Sequence, residues 1–283
     1  MTSTLTQPAT ALRPQRRRRP WRFGIAGWLS AVVLALVLLW ALFPGLFTAY
    51  DPIVTDPVNR LQPPSAAHLF GTDYLGRDVF ARTVYGSATS LQATLLAVLI
   101  AFVAGTSIGV ISGYVGGLLD SILMRCVEIV MSIPGLLLSM GVVTALGFGT
   151  TNIAIAVGVA SAASFARVGR GEVIRWKTAV FVEAARWVGV GYWRLLGRYI
   201  LPLAVKPVVA LGILEFGSAV IAVSTLSFLG FGQPPPQPEW GLLVSEGRDY
   251  LASAWWLTTL PGLVIVAVVL SANQLSRLTG GRR

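Results

Sequence analysis

Charge is scarce in this chain. Asp, Glu, Lys and Arg together make up 12% of its 283 residues, where a soluble domain carries roughly 25%. With 54% of the residues hydrophobic, so little charge cannot cover a water-soluble globule. Cysteine is limited to Cys126, which excludes an internal disulfide. Histidine is limited to His68, which excludes a metal site built on several imidazoles. Lysine occurs only at Lys177 and Lys206. A phosphate-binding loop needs G-x-x-x-x-G-K-[ST]. The stretch from Gly171 to Lys177 and Thr178 puts Trp176 where the second glycine must stand, and Pro207 follows Lys206. The chain therefore carries no nucleotide-hydrolysing motif, and no catalytic constellation accompanies it.

What is present is long apolar sequence. Six stretches are long enough to cross a bilayer at roughly 20 residues each: 24–43, 87–112, 122–147, 152–168, 208–231 and 257–276. An even number puts both termini on one side. The net charge of +10 would suggest nucleic acid in a soluble protein. Its distribution points instead to membrane topology, with no nucleic-acid partner. One face collects 18 basic residues, among them Arg13, Arg16, Arg17, Arg18, Arg19 and Arg22, Arg125, the group from Arg167 to Lys206, and Arg277, Arg282 and Arg283. The other face has four: Arg60, Arg77, Arg82 and Arg248. Positive loops stay cytoplasmic, so both termini are expected inside. A cleaved signal peptide is the alternative for the first span. However, Phe43-Pro44-Gly45-Leu46-Phe47 offers no small-x-small cleavage site, and an uncleaved anchor fits better. The basic tail could also contact anionic lipid. The expected organisation is a basic cytoplasmic tail (1–23), a first span (24–43), an extracytoplasmic segment (44–86), a core of five spans (87–276) and a cytoplasmic tail (277–283).

Small residues four apart predict close helix packing, because lipid supplies no hydrophobic reason for helices to associate. Such sets are Ala101, Gly105, Gly109 and Gly113; Gly141, Ala145 and Gly149; and Ala154, Gly158, Ala162 and Ala166. Pro134 is expected to kink the third span. Trp40, Trp240, Trp255 and Trp256 are expected at the outer interface, and Trp21 at the inner one.

The cytoplasmic loop 169–206 is patterned. Thr178 is placed to cap a helix through Glu183, Ala184, Ala185, Arg186 and Trp187. Gly189 and Gly191 interrupt that helix. A second helix runs from Tyr192 to Leu201 and ends at Pro202, with Trp193, Leu196 and Ile200 on one face. Physically this is either a knob for another protein surface or a helix pair lying in the headgroup layer.

Glu183-Ala184-Ala185, Gly189 and Tyr199-Ile200-Leu201-Pro202 resemble the EAA motif of ABC importer permeases. His68-Leu69-Phe70-Gly71-Thr72-Asp73 with Gly76-Arg77-Asp78-Val79 is similar to the signature of the C-type permease subunit of dipeptide/oligopeptide (peptide/nickel) transporters. So is Ser227-Phe228-Leu229-Gly230-Phe231-Gly232 with Glu239-Trp240-Gly241. Val223 departs from the pattern, which in many relatives has Glu there. The resemblance implies an all-α polytopic membrane protein of six helices with the type I importer permease fold. It implies a second related permease, two cytoplasmic ATPase subunits and an extracytoplasmic binding protein as partners. ATP would be used by those partners, with no cofactor bound by this chain. The implied ATPase contact is Glu183, Ala184, Ala185, Arg186, Gly189, Leu201 and Pro202. Di- or oligopeptide is the implied cargo, with nickel chelate, haem or another solute as alternatives. An ATPase-independent transporter or channel would show charge relays or matched broken helices, and neither is evident.

Acids at membrane depth are expensive and point to function or an internal partner. Arg125 and Glu128, three apart, are spaced to pair on one helix. Glu215 has no sequence neighbour to pair with and is the candidate pathway residue, the alternative being a bridge to another helix. Asp73 and Asp78 flank Arg77. A loop held by local ion pairing is expected there rather than an ion site.

Overall fold

The computed structural model describes residues 25–280, with side chains through Ser276. The basic residues from Arg13 to Arg22, together with Trp21, Gly24, the Arg277 side chain, Arg282 and Arg283, lie outside that description. Nine helices are described: α1 (Ile25–Leu42), α2 (Val79–Val115), α3 (Gly117–Ser132), α4 (Gly135–Leu146), α5 (Thr150–Lys177), α6 (Val180–Trp187), α7 (Tyr192–Phe228), α8 (Trp240–Gly247) and α9 (Trp256–Gly280). The described residues contain no β-strand. Five helices are each long and apolar enough to cross a membrane. The pair α3 and α4 makes a sixth span if counted as one.

The bundle is built around α2 and α5, the pair in most extensive contact. The small residues make this approach possible. A Cβ on Gly105 would stand 2.2 Å from the Ala162 carbonyl oxygen, and one on Gly109 would stand 2.4 Å from that of Ala166. From the other side, a Cβ on Gly158 would meet the Ala97 carbonyl at 2.9 Å. The sets on α2 and α5 therefore face each other. The third set does not pack: a Cβ at Gly141 or Gly149 would meet nothing within 4 Å, and Ala145 is exposed.

Several helix limits differ from the sequence expectation. The third span is not a kinked rod but two helices meeting at 98°. Ile133 takes extended backbone before Pro134, as a residue preceding proline prefers, and the α-ladder stops there. α2 begins at Val79 because the Asp78 carboxylate accepts the Ala81 N–H at 2.6 Å, an N-cap nine residues ahead of the apolar run. α5 continues to Lys177, nine residues past the apolar window. Its last turns carry Arg170, Arg175 and Lys177, which suit a helix C-terminus. Thr178 does not cap the next helix; it bonds back to the Ile174 and Arg175 carbonyls at the end of α5. Nor does the helix after Gly191 end at Pro202. It runs unbroken to Phe228, and Leu196–Ile200 widens to π geometry. Leu201 N–H bonds to Leu196 O, and the wider turn makes room for the Pro202 ring.

Of the four tryptophans expected at the outer interface, only Trp255 is exposed. Trp40, Trp240 and Trp256 are buried. Trp240 donates to the Thr83 carbonyl at 3.0 Å and Trp256 to that of Thr72 at 3.3 Å. They pin α8 and α9 to α2 and the segment before it.

Candidate functional site

Three features stand along the bundle. At one end is a knob formed by α6 and the start of α7. Its root is apolar: Val182, Leu195, Ile200 and Ala204 pack against Tyr114 of α2 and Val173 of α5. Tyr114 donates to the Tyr192 carbonyl at 2.5 Å, and Lys177 Nζ donates to the Tyr114 carbonyl at 2.6 Å. Gly189 takes φ +86, a left-handed conformation that side chains with a Cβ resist. Its N–H reaches the Arg186 carbonyl at 3.0 Å, while the Val190 N–H reaches that of Ala185 at 3.1 Å. That double closure is a Schellman motif, and it fixes the exit angle of α6. Opposite the root, Glu183, Ala184 and Arg186 are exposed, Ala185 is half-buried, and Trp187 and Val188 are each 85% exposed. Trp193, at the start of α7, is 74% exposed. Leu201 and Pro202 lie within α7, half-buried and exposed respectively. They stand next to the knob without being part of its tip.

At membrane depth α4, α5 and α7 enclose a groove of about 400 Å³. Hydroxyls line it from all three helices: Ser139 from α4, Ser161 and Ser164 from α5, and Ser218 and Thr225 from α7. Exposed Leu136, Ser218 and Ile221 lie among its walls, so it opens on the flank of the bundle. Glu215 is half-buried on α7, one turn on the knob side of Ser218, and makes no hydrogen bond or ion pair among the described residues. Arg125 and Glu128 do pair on α3, at 3.3 Å, with both side chains exposed.

At the end opposite the knob the residues from Gly71 to Asp78 form the head of a charge cluster. Arg77 Nε meets Asp73 Oδ2 at 2.6 Å. Arg82 Nη2 meets Glu246 Oε2 of α8 at 2.9 Å. Arg77 also stands 3.6 Å from Glu246, and Arg82 stands 3.8 Å from Asp73. The side chains of Arg77 and Arg82 are only 2% and 0% exposed. His68 Nδ1 lies 2.8 Å from Asp78 Oδ2. Thr72 is buried and accepts the Gln62 N–H at 2.8 Å. Gly71 and Gly76 lie where chain segments cross; a Cβ on Gly76 would collide with the Asp56 carbonyl. This is the locally ion-paired loop that the sequence suggests, extended by a partner it does not: Glu246 lies 164 residues from Arg82.

A second buried acid escaped sequence reading except as part of a motif. Glu239 is 1% exposed in the segment between α7 and α9. It joins Ser227 at the end of α7 and Thr150 at the start of α5 through hydrogen bonds. Burial pushes its carboxyl above the usual range, while hydrogen bonds from Ser227, the Gln233 backbone and Thr150 pull the other way. The groove hydroxyls were also missed, because single serines on three helices have no shared spacing. Asp120 of α3, which Arg170 of α5 grips at 2.6 and 2.7 Å, carried no local signal either.

Residues 105–280 match the family model described as binding-protein-dependent transport system inner membrane component. The chain is 36% identical over 278 residues to a probable D,D-dipeptide transport system permease protein of Escherichia coli K12, covering 95% of this chain and 93% of that one. It is 38% identical to a dipeptide transport system permease protein of Alkalihalophilus pseudofirmus, covering 87% and 81%. It is 35% identical to a glutathione transport system permease protein of Pectobacterium atrosepticum, covering 93% and 90%. Among solved structures, the MetNI methionine ABC transporter in its inward-facing conformation aligns with a TM-score of 0.58 at 18% identity, over 71% of this chain and 97% of that one. An amino acid ABC transporter with histidines aligns with a TM-score of 0.55 at 18% identity, over 72% and 95%. At that identity the two structures bear on the fold alone.

Proposed function

The chain belongs to the family of binding-protein-dependent transport system inner membrane components, and we propose that within it this chain is the peptide-importing permease subunit whose knob receives the force of ATP hydrolysis. The family makes it an integral membrane component of a multi-subunit transporter. In our reading a second related permease completes the pathway and two cytoplasmic ATPase subunits bind below. An extracytoplasmic binding protein delivers cargo, and both termini are cytoplasmic. ATP is spent by the partners, and this chain binds no cofactor. The dipeptide, peptide and glutathione cargoes named for its relatives support a di- or oligopeptide cargo here.

The single observation that carries the coupling role is the asymmetry of the knob. Its root is packed on the ends of α2 and α5, while Trp187, Val188 and Trp193 stand bare at its tip. Exposed aromatics beside small Ala184 and Ala185 are what a protein groove accepts. Motion then has a direct route inward. α7 begins in the knob and runs 37 residues without a break, roughly 55 Å at the helical rise. The same helix carries Ser218 and Thr225 in the groove wall and Glu215 one turn before Ser218. A push on α6 therefore displaces the groove wall, and the π turn at Leu196–Ile200 is the one departure from α geometry between them. Glu215 and the groove are assigned to the pathway on this basis.

The test is uptake of labelled di- and oligopeptides by cells lacking the gene, complemented with the wild-type chain or with Gly189→Asp, with membrane levels measured in parallel. Restoration by wild type but not by the variant supports both cargo and coupling. Failure of the wild type to restore peptide uptake removes the peptide assignment, and nickel chelate is tried next. Full restoration by the variant removes the coupling role of the bend.

A further inference from the structure

We infer that Arg167 and Glu215 form a dipolar subsite at the cytoplasmic end of the groove, taking the carboxylate and the ammonium of a short peptide respectively; this rests on the peptide-importer reading above. Ser164 of α5 and Ser218 of α7 line the same groove. α5 enters from the extracytoplasmic end and α7 from the knob, so the two helices run in opposite directions. Arg167 follows Ser164 by three residues, and Glu215 precedes Ser218 by three. Residues three apart share a helix face, and each charge stands about 4.5 Å below its serine. An acid and a base thus stand one turn beyond the groove's serines, toward the same end of the bundle, on neighbouring helices and just outside the residues that line the groove.

They are not paired with each other. Among the described residues neither makes an ion pair or hydrogen bond, although Arg167 is exposed and Glu215 half-buried. Glu215 is left without a partner inside its span, where charge is expensive, and Arg167 stands at the end of the neighbouring span, so a ligand carrying two opposite charges would satisfy both. A peptide with free ends is such a ligand. Packed helices lie about 8–10 Å apart, and an extended di- or tripeptide spans about 7–11 Å. The hydroxyls of Ser161, Ser164 and Ser218 donate and accept, which suits the amides between the two ends. An uncharged solute would leave both groups unsatisfied.

The experiment uses proteoliposomes holding the complete transporter and its binding protein. The cargoes are one labelled tripeptide, its N-acetylated form and its C-terminal amide. Each is supplied far enough above its affinity for the binding protein that capture is complete, so the uptake rate reports the permease. Wild type should favour the free peptide over either blocked form by about tenfold or more, the size of one lost charge-assisted hydrogen bond. Glu215→Gln should erase discrimination against the acetylated peptide and leave that against the amide. Arg167→Gln should do the converse, and Glu215→Asp and Arg167→Lys should keep both. If wild type carries all three cargoes equally, or if each glutamine variant slows all three in the same ratio, the two residues brace the protein and the subsite is wrong. No peptide uptake by wild type at all overturns the importer reading, and the subsite falls with it.

Discussion

Replacing Glu246 by Ala should strip the charge cluster opposite the knob of one of its two carboxylates. In the native cluster Asp73 and Glu246 face Arg77 and Arg82, and the four side chains sum to zero charge. The Glu246 carboxylate lies 2.9 Å from Arg82 and 3.6 Å from Arg77. At an effective dielectric constant near 20, each contact is worth about 5 to 6 kcal/mol of gross attraction. Desolvating Glu246 itself costs several kcal/mol against that gain. Removing it leaves two buried guanidinium groups facing Asp73 as their one carboxylate, and Arg82 keeps the 3.8 Å ion pair and a 3.4 Å hydrogen bond to the Pro52 carbonyl. The net cost expected for such an orphaned buried charge is about 3–5 kcal/mol. Replacing Arg82 and Glu246 together by Leu and Met should recover most of it, because no charge is then left unpaired. The assay is a double-mutant cycle on the purified chain in detergent, followed by denaturant titration. A loss below about 1 kcal/mol in Glu246→Ala, or a double variant no better than the single one, would refute the reasoning and reduce the cluster to a surface-like ion pair.

Trp187→Ala at the knob tip should weaken assembly with the ATPase subunits by about 2 kcal/mol or more, the scale of a docking hot spot. Stability should stay within about 0.5 kcal/mol because the side chain is bare; co-purification and unfolding curves separate the two effects. Gly105→Val should deplete folded chain in the membrane, since its Cβ would fall 2.2 Å from a backbone oxygen that only a helix shift can move; normal levels would contradict the close α2–α5 contact. Glu239 gives a pH dependence whose sign follows from its raised carboxyl. The folded state holds the proton to higher pH than the unfolded chain does, so this contribution is full below the unfolded value of 4.5 and is lost as pH rises through the folded value. Glu239→Gln should remove that decline, visible as a wild-type-minus-variant difference in unfolding free energy that changes between pH 4 and 8.

Membrane residence, helical class and the neighbourhood of the knob were legible because each depends on short-range information. Apolar runs report burial in lipid whatever their partners, and the Glu183-Ala184-Ala185 and Gly189 spacing lies within one helix and its cap. Helix ends were misjudged because hydropathy measures the apolar window, not the ladder. Asp78 starts α2 before its apolar run, and α5 continues through Arg170 and Arg175 after its own. Pro202 looked like a terminus because proline interrupts a regular α-helix, and the π turn that accommodates it has no sequence mark. Trp40, Trp240 and Trp256 looked like interfacial residues because indoles favour that layer. Their burial was settled by helices far away in the chain.

The sequence by itself determined that this chain lives in a bilayer, is helical, lacks a phosphate-binding-loop motif and bends at Gly189 between its fourth and fifth apolar stretches. Composition, 3.6-residue periodicity and local capping suffice for these, since every bond they invoke closes within a few residues. Tertiary structure alone decided which small residues touch, that Glu246 completes the cluster around Arg82, that Glu239 joins α5 to α7, and that serines from three helices share a groove. Those facts depend on the relative depth and rotation of separate helices. In lipid, that arrangement is chosen by how closely backbones can approach, as between Gly105 and Ala162, and not by any pattern written along a single helix.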